Sequence, residues 1–182
     1  MRLNNLLAKR KTAFVKNWFA LVIATYPPDT ARFLQNQKDP IANPVGRTIY
    51  RGLETLFDEL LRETDYKAIK LALDPIIRIR AIQNYSPSQA TGFIFFLKKV
   101  LRDQARKEVF EENLMDELLA LESKIDEIGL IAFNIYVECR EKIYELKANE
   151  IKNRTFKAFE RAGLVKEIPE VEPDLKPIIN IT

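Results

Sequence analysis

The feature that most limits how this chain can fold is the stretch 112–162, which contains no proline and one glycine, Gly129. Because proline and glycine are the residues that most often end a helix, this stretch predicts one long helix. A helix of that length would extend for about 75 Å, which is wider than a domain of 182 residues. We therefore expect a long C-terminal helix that packs on the domain in part and in part projects from it or is broken.

Apolar residues recur along the first half of this stretch at alternating steps of four and three, the spacing of a heptad seam. Beyond Cys139 the sequence becomes more charged, and its apolar stripe becomes narrower. Two copies of such a helix can pair through these side chains, so we expect a homodimer. The predicted interface residues are Leu114, Leu118, Leu121, Ile125, Ile128, Ile135 and Leu146.

The first two thirds of the chain read as several shorter helices. Apolar residues at helical spacing predict a first helix from about Asn5 to Thr25, which Pro27 ends. Asn43-Pro44 predicts the start of a further helix that ends near Glu63. Asp65 can cap the next helix, in which Asp74-Pro75 predicts either a kink or a new start.

The clearest helix signal is Ser86-Pro87-Ser88-Gln89. Serine as the cap, proline in the first turn and glutamine three residues after the serine form a capping box. The predicted helix beyond it carries Phe93 and other apolar residues on one face. No long stretch alternates between apolar and polar residues as a strand would, so the predicted fold class is all-α.

The composition excludes several classes of function. Lysine and arginine number 29 against 26 acidic residues, a balance that is untypical of nucleic-acid-binding proteins. Histidine is absent and Cys139 is the single cysteine, which rules out histidine-based catalysis and the usual zinc or iron–sulfur sites within one chain. We expect no enzyme, no metal site and no cofactor, and we expect Cys139 to be buried and inert.

Two further observations concern location. No stretch reaches the roughly 18 consecutive apolar residues of a membrane-spanning helix, and the N-terminus does not read as a signal peptide. A single cysteine also favours a reducing compartment. We therefore expect a cytoplasmic protein with no membrane span.

Four residues are candidates for binding a ligand or a partner: Arg78, Arg80, Gln83 and Phe93. Helical steps of about 100° place Arg78 beside Ala81 and Ile82 on an apolar face, where a guanidinium needs a partner. That partner is either a carboxylate of the protein itself or a bound molecule. Arg80 and Gln83 share the opposite side of the helix and are either its polar face or part of the same site. Phe93 belongs either to the core or to an apolar pocket.

An ordered set of motifs resembles the N-terminal domain of the RsbT co-antagonist proteins, which are subunits of the bacterial stressosome. The resemblance covers about residues 10–140, and the order and the spacing of the motifs both agree with it. The motifs are Trp18 with Tyr26-Pro27, then Asn43-Pro44-Val45-Gly46, then Ile77-Arg78-Ile79-Arg80-Ala81-Ile82-Gln83, then Ser86 to Ala90, and then Phe93 to Lys98.

This resemblance implies a globin-like helical fold without haem and a homodimer formed through the last helices. It divides the chain into a sensor domain (1–140), a helical linker (141–163) and an extended tail (164–182). In the family the linker leads to a STAS output domain, for which we expect no room before Thr182. The implied function is a regulatory or sensory dimerisation domain with a protein partner. The alternatives are an assembly subunit without a ligand and a tetrapyrrole-binding protein that would use Cys139, Met115 or Tyr136 as axial ligand.

Overall fold

The computed structural model describes residues 2–36, 39, 41–62, 65–83 and 85–164. Within these ranges the chain forms α-helices, one short 3-10 helix and no strand, which confirms the all-α class. Glu63 and the predicted tail beyond Leu164 lie outside the described residues. The helices are α1 (Arg2–Lys9), α2 (Lys11–Ile23), α3 (Pro28–Asn36), α4 (Pro44–Leu61), α5 (Tyr66–Ile82), α6 (Pro87–Thr91), the 3-10 helix (Gly92–Ile94), α7 (Phe96–Glu111) and α8 (Met115–Arg161).

The helix expected from Asn5 to Thr25 is wrong as one element, because α1 and α2 are separated at Arg10. Arg10 does not have helical backbone angles. Its guanidinium donates to the Glu108 carboxylate (2.7 Å) and to the Gln104 carbonyl oxygen (3.1 Å) of α7. Neither proline nor glycine marks this break, so the apolar spacing alone did not reveal it.

Asn43 joins α3 to α4 through both ends of its buried side-chain amide. The amide oxygen accepts from the Gly46 N–H (2.8 Å), and the amide nitrogen donates to the Leu34 carbonyl oxygen (2.9 Å). The predicted start of α4 at Asn43-Pro44 is confirmed. A Cβ atom on Gly46 would lie 2.5 Å from the Asn43 amide nitrogen, so this packing requires glycine at position 46.

Gly46→Ala is expected to destabilise the protein by about 2–3 kcal/mol, because the methyl group displaces Asn43 and removes both hydrogen bonds. Gly92→Ala is the matched control. Gly92 has helical backbone angles, and a Cβ there would meet no atom within 4 Å, so its effect is expected to stay within about 1 kcal/mol. Urea denaturation of both variants measures the difference, and equal midpoints would contradict this role of Asn43.

Pro75 neither ends α5 nor starts a new helix. The helix runs from Tyr66 to Ile82 through Pro75, and Asp65 caps its start by accepting from the Lys67 and Ala68 N–H groups. Proline inside a helix removes one backbone hydrogen bond. The buried side chains of Leu73, Ile76 and Ile77 around it provide packing that offsets this loss.

The capping box at Ser86 is confirmed, since the Ser86 hydroxyl and the Gln89 side chain each bond the other residue's backbone N–H. The single helix expected after it is wrong. The chain forms α6, a 3-10 turn and α7 instead. Phe93 in the 3-10 turn and Leu97 in α7 are both buried in the core.

The long C-terminal helix is confirmed, although it begins at Met115 and not at Glu112. Asn113 has a positive φ of 54° and ends α7, with the Leu114 N–H bonded to the Val109 carbonyl oxygen (2.9 Å). This is a Schellman motif with asparagine in place of glycine. The same arrangement ends α8 at Gly163 (φ 67°), where the Leu164 N–H bonds the Phe159 carbonyl oxygen (2.9 Å).

The chain divides into two units, Met1–Lys142 and Ile143–Thr182. The first unit contains the apolar core, which is built from all eight helices. In the second unit, the described residues 143–161 are helical, and none of residues 144–164 is buried. No helix in the described part of the chain is both long and apolar enough to cross a membrane.

Candidate functional site

Arg80 is a fully buried cation at the centre of the first unit. Its exposed fraction is 0%, although sequence analysis placed it on the polar side of its helix. One face of α5 is buried and carries Leu73, Ile76, Ile77 and Arg80, so Arg80 lies seven residues after Leu73 on that face. That i, i+3, i+4, i+7 spacing was the signal that could have placed Arg80 in the core.

The guanidinium of Arg80 is held by oxygen atoms of two other segments. It donates to the Gln89 carbonyl oxygen in α6 (2.8 Å) and to the Thr25 hydroxyl after α2 (2.7 Å). A longer bond reaches the Val22 carbonyl oxygen (3.5 Å) near the C-terminus of α2, where the helix dipole favours a positive charge. No ion pair among the described residues includes Arg80. Oxygens of uncharged groups therefore stabilise this charge in place of a carboxylate.

Three aromatic rings complete the surroundings of this charge. The Arg80 guanidinium carbon lies 5.2 Å from the ring centre of Tyr26, 4.9 Å from that of Tyr85 and 5.1 Å from that of Phe93. Ring faces attract cations, most strongly where water is excluded. We call Arg80 with these three residues the arginine cage. It links α2, α5, α6 and the 3-10 helix around one charge.

Burial shifts the titration of two groups in the arginine cage. Desolvation lowers the pKa of Arg80, while the nearby phenols of Tyr26 and Tyr85 act in the opposite direction. Desolvation also raises the pKa of the Tyr26 phenol, an effect that Arg80 partly offsets. The Nε atom of Arg80 and the hydroxyl of Tyr26 are buried without a hydrogen-bond partner among the described residues.

Three hydrogen bonds hold the residues that carry the rings of the cage. The Trp18 indole donates to the Phe93 carbonyl oxygen (2.8 Å), and the Tyr136 hydroxyl of α8 donates to the Tyr85 carbonyl oxygen (2.6 Å). The Tyr85 hydroxyl donates to the Thr25 carbonyl oxygen (3.3 Å). The cage is therefore braced by α2 and α8, and its arrangement is suited to organising the core around a charge.

Of the four predicted binding residues, the structure brings Arg80 and Phe93 together and leaves the other two outside. The placement of Arg78 on an apolar face is wrong. Its guanidinium is mostly exposed and pairs with Asp74, one helical turn earlier (2.6 Å). This pairing raises the pKa of Arg78. Gln83 is exposed at the C-terminal end of α5. A binding role for any of the four stays a prediction.

The apolar seam of α8 from Leu114 to Ile135 packs against other helices of the same chain. All six predicted interface residues up to Ile135 are buried by the protein's own helices, which corrects the expectation that they face a second copy. A short helical bundle and a coiled coil use the same spacing of apolar residues, so the pattern could not distinguish them. Leu146 is 59% exposed. The six buried residues are Leu114, Leu118, Leu121, Ile125, Ile128 and Ile135.

Cys139 is buried on α8, as expected. Desolvation raises the pKa of its thiol, although the nearby charge of Arg78 partly offsets this effect. The thiolate is the reactive form of cysteine, so a raised pKa and burial both favour low reactivity, and the inertness of Cys139 stays a prediction.

Reaction of Cys139 with Ellman's reagent at pH 8 is expected to be at least about tenfold slower in the folded protein than in urea, because a buried thiol with a raised pKa supplies little thiolate. Absorbance at the wavelength of the released dye follows the reaction. Equal rates in both conditions would show that Cys139 is accessible and reactive in the folded state.

The three alternative axial ligands for a tetrapyrrole, Cys139, Met115 and Tyr136, lie in different surroundings. Met115 is half-exposed at the start of α8, about six turns from Tyr136. The Tyr136 hydroxyl donates to the Tyr85 carbonyl oxygen, and burial raises the pKa of the Cys139 thiol. In the described part of the chain, no group of three or more acidic or cysteine side chains could hold a metal ion.

Comparison with known proteins agrees with the motifs read from the sequence. The family described as the RsbT co-antagonist protein rsbRD N-terminal domain matches residues 12–151. An uncharacterized protein of Archaeoglobus fulgidus is 29% identical over 105 residues, which cover 56% of this chain and 66% of that relative. The match therefore spans slightly less than two thirds of the relative's length. No solved structure matches the chain.

Proposed function

This chain belongs to the RsbT co-antagonist N-terminal domain family, and from this premise we propose that it is a non-enzymatic regulatory domain that acts as a homodimer. The family supports a regulatory role of the stressosome type, in which partners are proteins. In this proposal residues 1–140 form the sensor, with the globin-like arrangement of the family, and residues 141–163 form the linker helix that pairs with a second copy.

The observation that carries the proposal is the uncovered helix of the second unit. Residues 144–164 contain no buried side chain, yet large apolar side chains recur there. Residues 144–161 form the C-terminal part of α8, and a helical segment gains most of its stability from packing of its apolar face. A second helix would cover its apolar side chains. The exposed residues are Tyr144, Leu146, Ile151, Phe156, Phe159 and Leu164.

One face of this helix fits a partner of the same sequence. Helical steps of about 100° place Tyr144, Ile151 and Phe159 on one face, with Ala148 and Thr155 between them. Tyr144 and Ile151 are seven residues apart, as in a coiled coil. A twofold axis brings identical stripes together, which is the commonest symmetry of soluble oligomers. Leu146 lies about 140° from Ile151 on this helix, so the proposed stripe does not include it, and its predicted place in the interface stays a prediction.

Ile151→Glu is expected to convert the dimer to a monomer at micromolar concentration, because it places two carboxylates opposite each other in the stripe. Leu146→Glu is the matched control, since Leu146 is similarly exposed on the same helix but faces away from the stripe. Light scattering gives the mass of each variant. A dimer that survives Ile151→Glu, or one that Leu146→Glu dissociates instead, would contradict the proposed interface.

An exposed apolar patch on the first unit is the proposed contact with a protein partner. The ring of Phe95 lies against Gly129, where an added Cβ would come within 2.5 Å of its Cζ atom. Leu130 and Phe133 follow Gly129 within about one turn of α8. All three side chains of this patch are more than two-fifths exposed. Clustered exposed apolar residues commonly mark docking sites, and this patch is suited to a regulatory partner.

A further inference from the structure

The first unit also contains a surface cleft between α2, α3 and α4. It has a volume of about 840 Å³, within the range of pockets that hold small molecules. Its floor is formed by the rings of Phe19 and Tyr50, which meet edge to face with centres 5.4 Å apart. Ala20 and Leu34 extend the apolar lining.

The rim of this cleft carries three exposed cations, Lys16 from α2 and Arg47 and Arg51 from α4. None of the three takes part in an ion pair or side-chain hydrogen bond with another described residue. Arg47 and Arg51 are four residues apart on one helix, where like charges repel by a few tenths of a kcal/mol. Three positive charges thus lie together at the cleft without a side-chain partner among the described residues.

The two acidic residues of the lining, Asp39 and Glu54, offset these charges only in part, because three cations share the cleft with two carboxylates. A carboxylate oxygen of Glu54 also lies 4.0 Å from the Lys11 ammonium, which lies outside the cleft lining. An oxygen of Asp39 accepts from the Ile41 N–H within its own loop (2.9 Å). The formal charge of the described lining is therefore +1, beside aromatic and apolar side chains.

From this combination we propose that the cleft binds a small organic anion with a flat, apolar body. The rings of Phe19 and Tyr50 provide contact area for the flat body, and aromatic contacts favour flat partners. The guanidinium groups of Arg47 and Arg51 bind the carboxylate, sulfonate or phosphate end, since arginine presents several N–H donors in a planar fork. The site shares no residue with the proposed dimer stripe, so each proposal can fail without the other.

Three probe compounds distinguish the contribution of the flat apolar body to binding from that of the anionic group. The compound 8-anilinonaphthalene-1-sulfonate has both the flat body and the anion, N-phenyl-1-naphthylamine has the same rings without the anion, and inorganic sulfate has the anion alone. We expect the sulfonate to bind with about one site per chain, at least tenfold more tightly than the neutral amine. Sulfate alone is expected to bind too weakly to displace it at millimolar concentration.

Variants of the full chain locate the site. Arg47→Gln with Arg51→Gln is expected to weaken sulfonate binding at least tenfold and to change binding of the neutral amine less than twofold. Lys67→Gln with Lys152→Gln removes the same net charge from exposed residues outside the cleft, and should change either affinity less than twofold. Ala20→Trp fills the cleft and should abolish binding, whereas Ala13→Trp on the exposed side of α2 should not.

Fluorescence titration measures each affinity, and circular dichroism confirms that each variant is folded. Four results would overturn the proposal. These are no saturable binding by the folded protein, equal affinity for the sulfonate and the neutral amine, unchanged binding in the double arginine variant, and unchanged binding in Ala20→Trp. The last two would place any bound probe on another apolar surface of the chain.

Discussion

Arg80→Ala is expected to lower the free energy of unfolding by about 4 kcal/mol. The substitution opens a cavity among the rings of Tyr26, Tyr85 and Phe93, and it leaves the carbonyl oxygen of Gln89 without its donor from Arg80. A cavity and an unsatisfied buried oxygen each cost about 1–3 kcal/mol or more. Urea denaturation followed by circular dichroism measures the change.

Arg78→Ala is the matched control for this substitution, because it removes the same side chain two residues earlier on α5. Arg78 is exposed and pairs only with Asp74, and such a pair is worth about 0.5 kcal/mol. Arg80→Lys is expected to fall between the two, since lysine keeps the charge but cannot donate in the same planar fork. If both alanine variants unfold at the same urea concentration, the arginine cage does not organise the core.

Ile128→Glu is expected to unfold the first unit at 25 °C. Ile128 is 5% exposed and shares a narrow crevice with Leu60 of α4 and Ile69 of α5. Moving a carboxylate out of water to a position between such apolar side chains costs several kcal/mol, which is comparable with the whole stability of a domain of this size.

Leu130→Glu is the control for this effect, since Leu130 is two residues away on the same helix and is 68% exposed. It should keep the helical circular dichroism spectrum and the cooperative thermal transition of the unmodified protein. Ile128→Glu should lose the transition. A folded Ile128→Glu variant with an unchanged melting temperature would show that the seam of α8 is not part of the core.

Local signals in the sequence predicted much of the fold because they act between near neighbours. Asn43, Asp65 and Ser86 each cap the helix that follows them, and the hydrogen bonds involved span only two or three residues. The break at Arg10 depends on α7, some 98 residues away in sequence. Asn113 ends α7 in a left-handed conformation that glycine adopts more often, so the chain carried only a weak sign of it.

The candidate site was harder to predict because its charge lies in the core. Arginine is almost never fully buried unless it is paired, and helical steps counted from Ala81 and Ile82 placed Arg78 and not Arg80 near apolar neighbours. The observed partners of Arg80 are carbonyl oxygens and aromatic rings from three other segments. Such partners come together only once the chain has folded, and the spacing of residues on α5 does not reveal them.

The seam of α8 shows what apolar spacing in a sequence does and does not predict. Regular apolar spacing from Leu114 to Ile135 specifies that one face of the helix must be covered, but it does not specify which chain covers it. In the structure the first unit covers that face itself. The stripe for which we propose a second copy lies beyond Lys142, where Ile151 is exposed in the single chain.

We propose that the uncovered helix of residues 144–161 pairs with a second copy. The most direct test is sedimentation velocity of the unmodified chain at micromolar concentration. The account predicts one species with twice the chain mass of 21.2 kDa, which dissociates only on dilution. A single species of 21.2 kDa throughout the micromolar range would contradict the dimer and leave the apolar stripe to another partner.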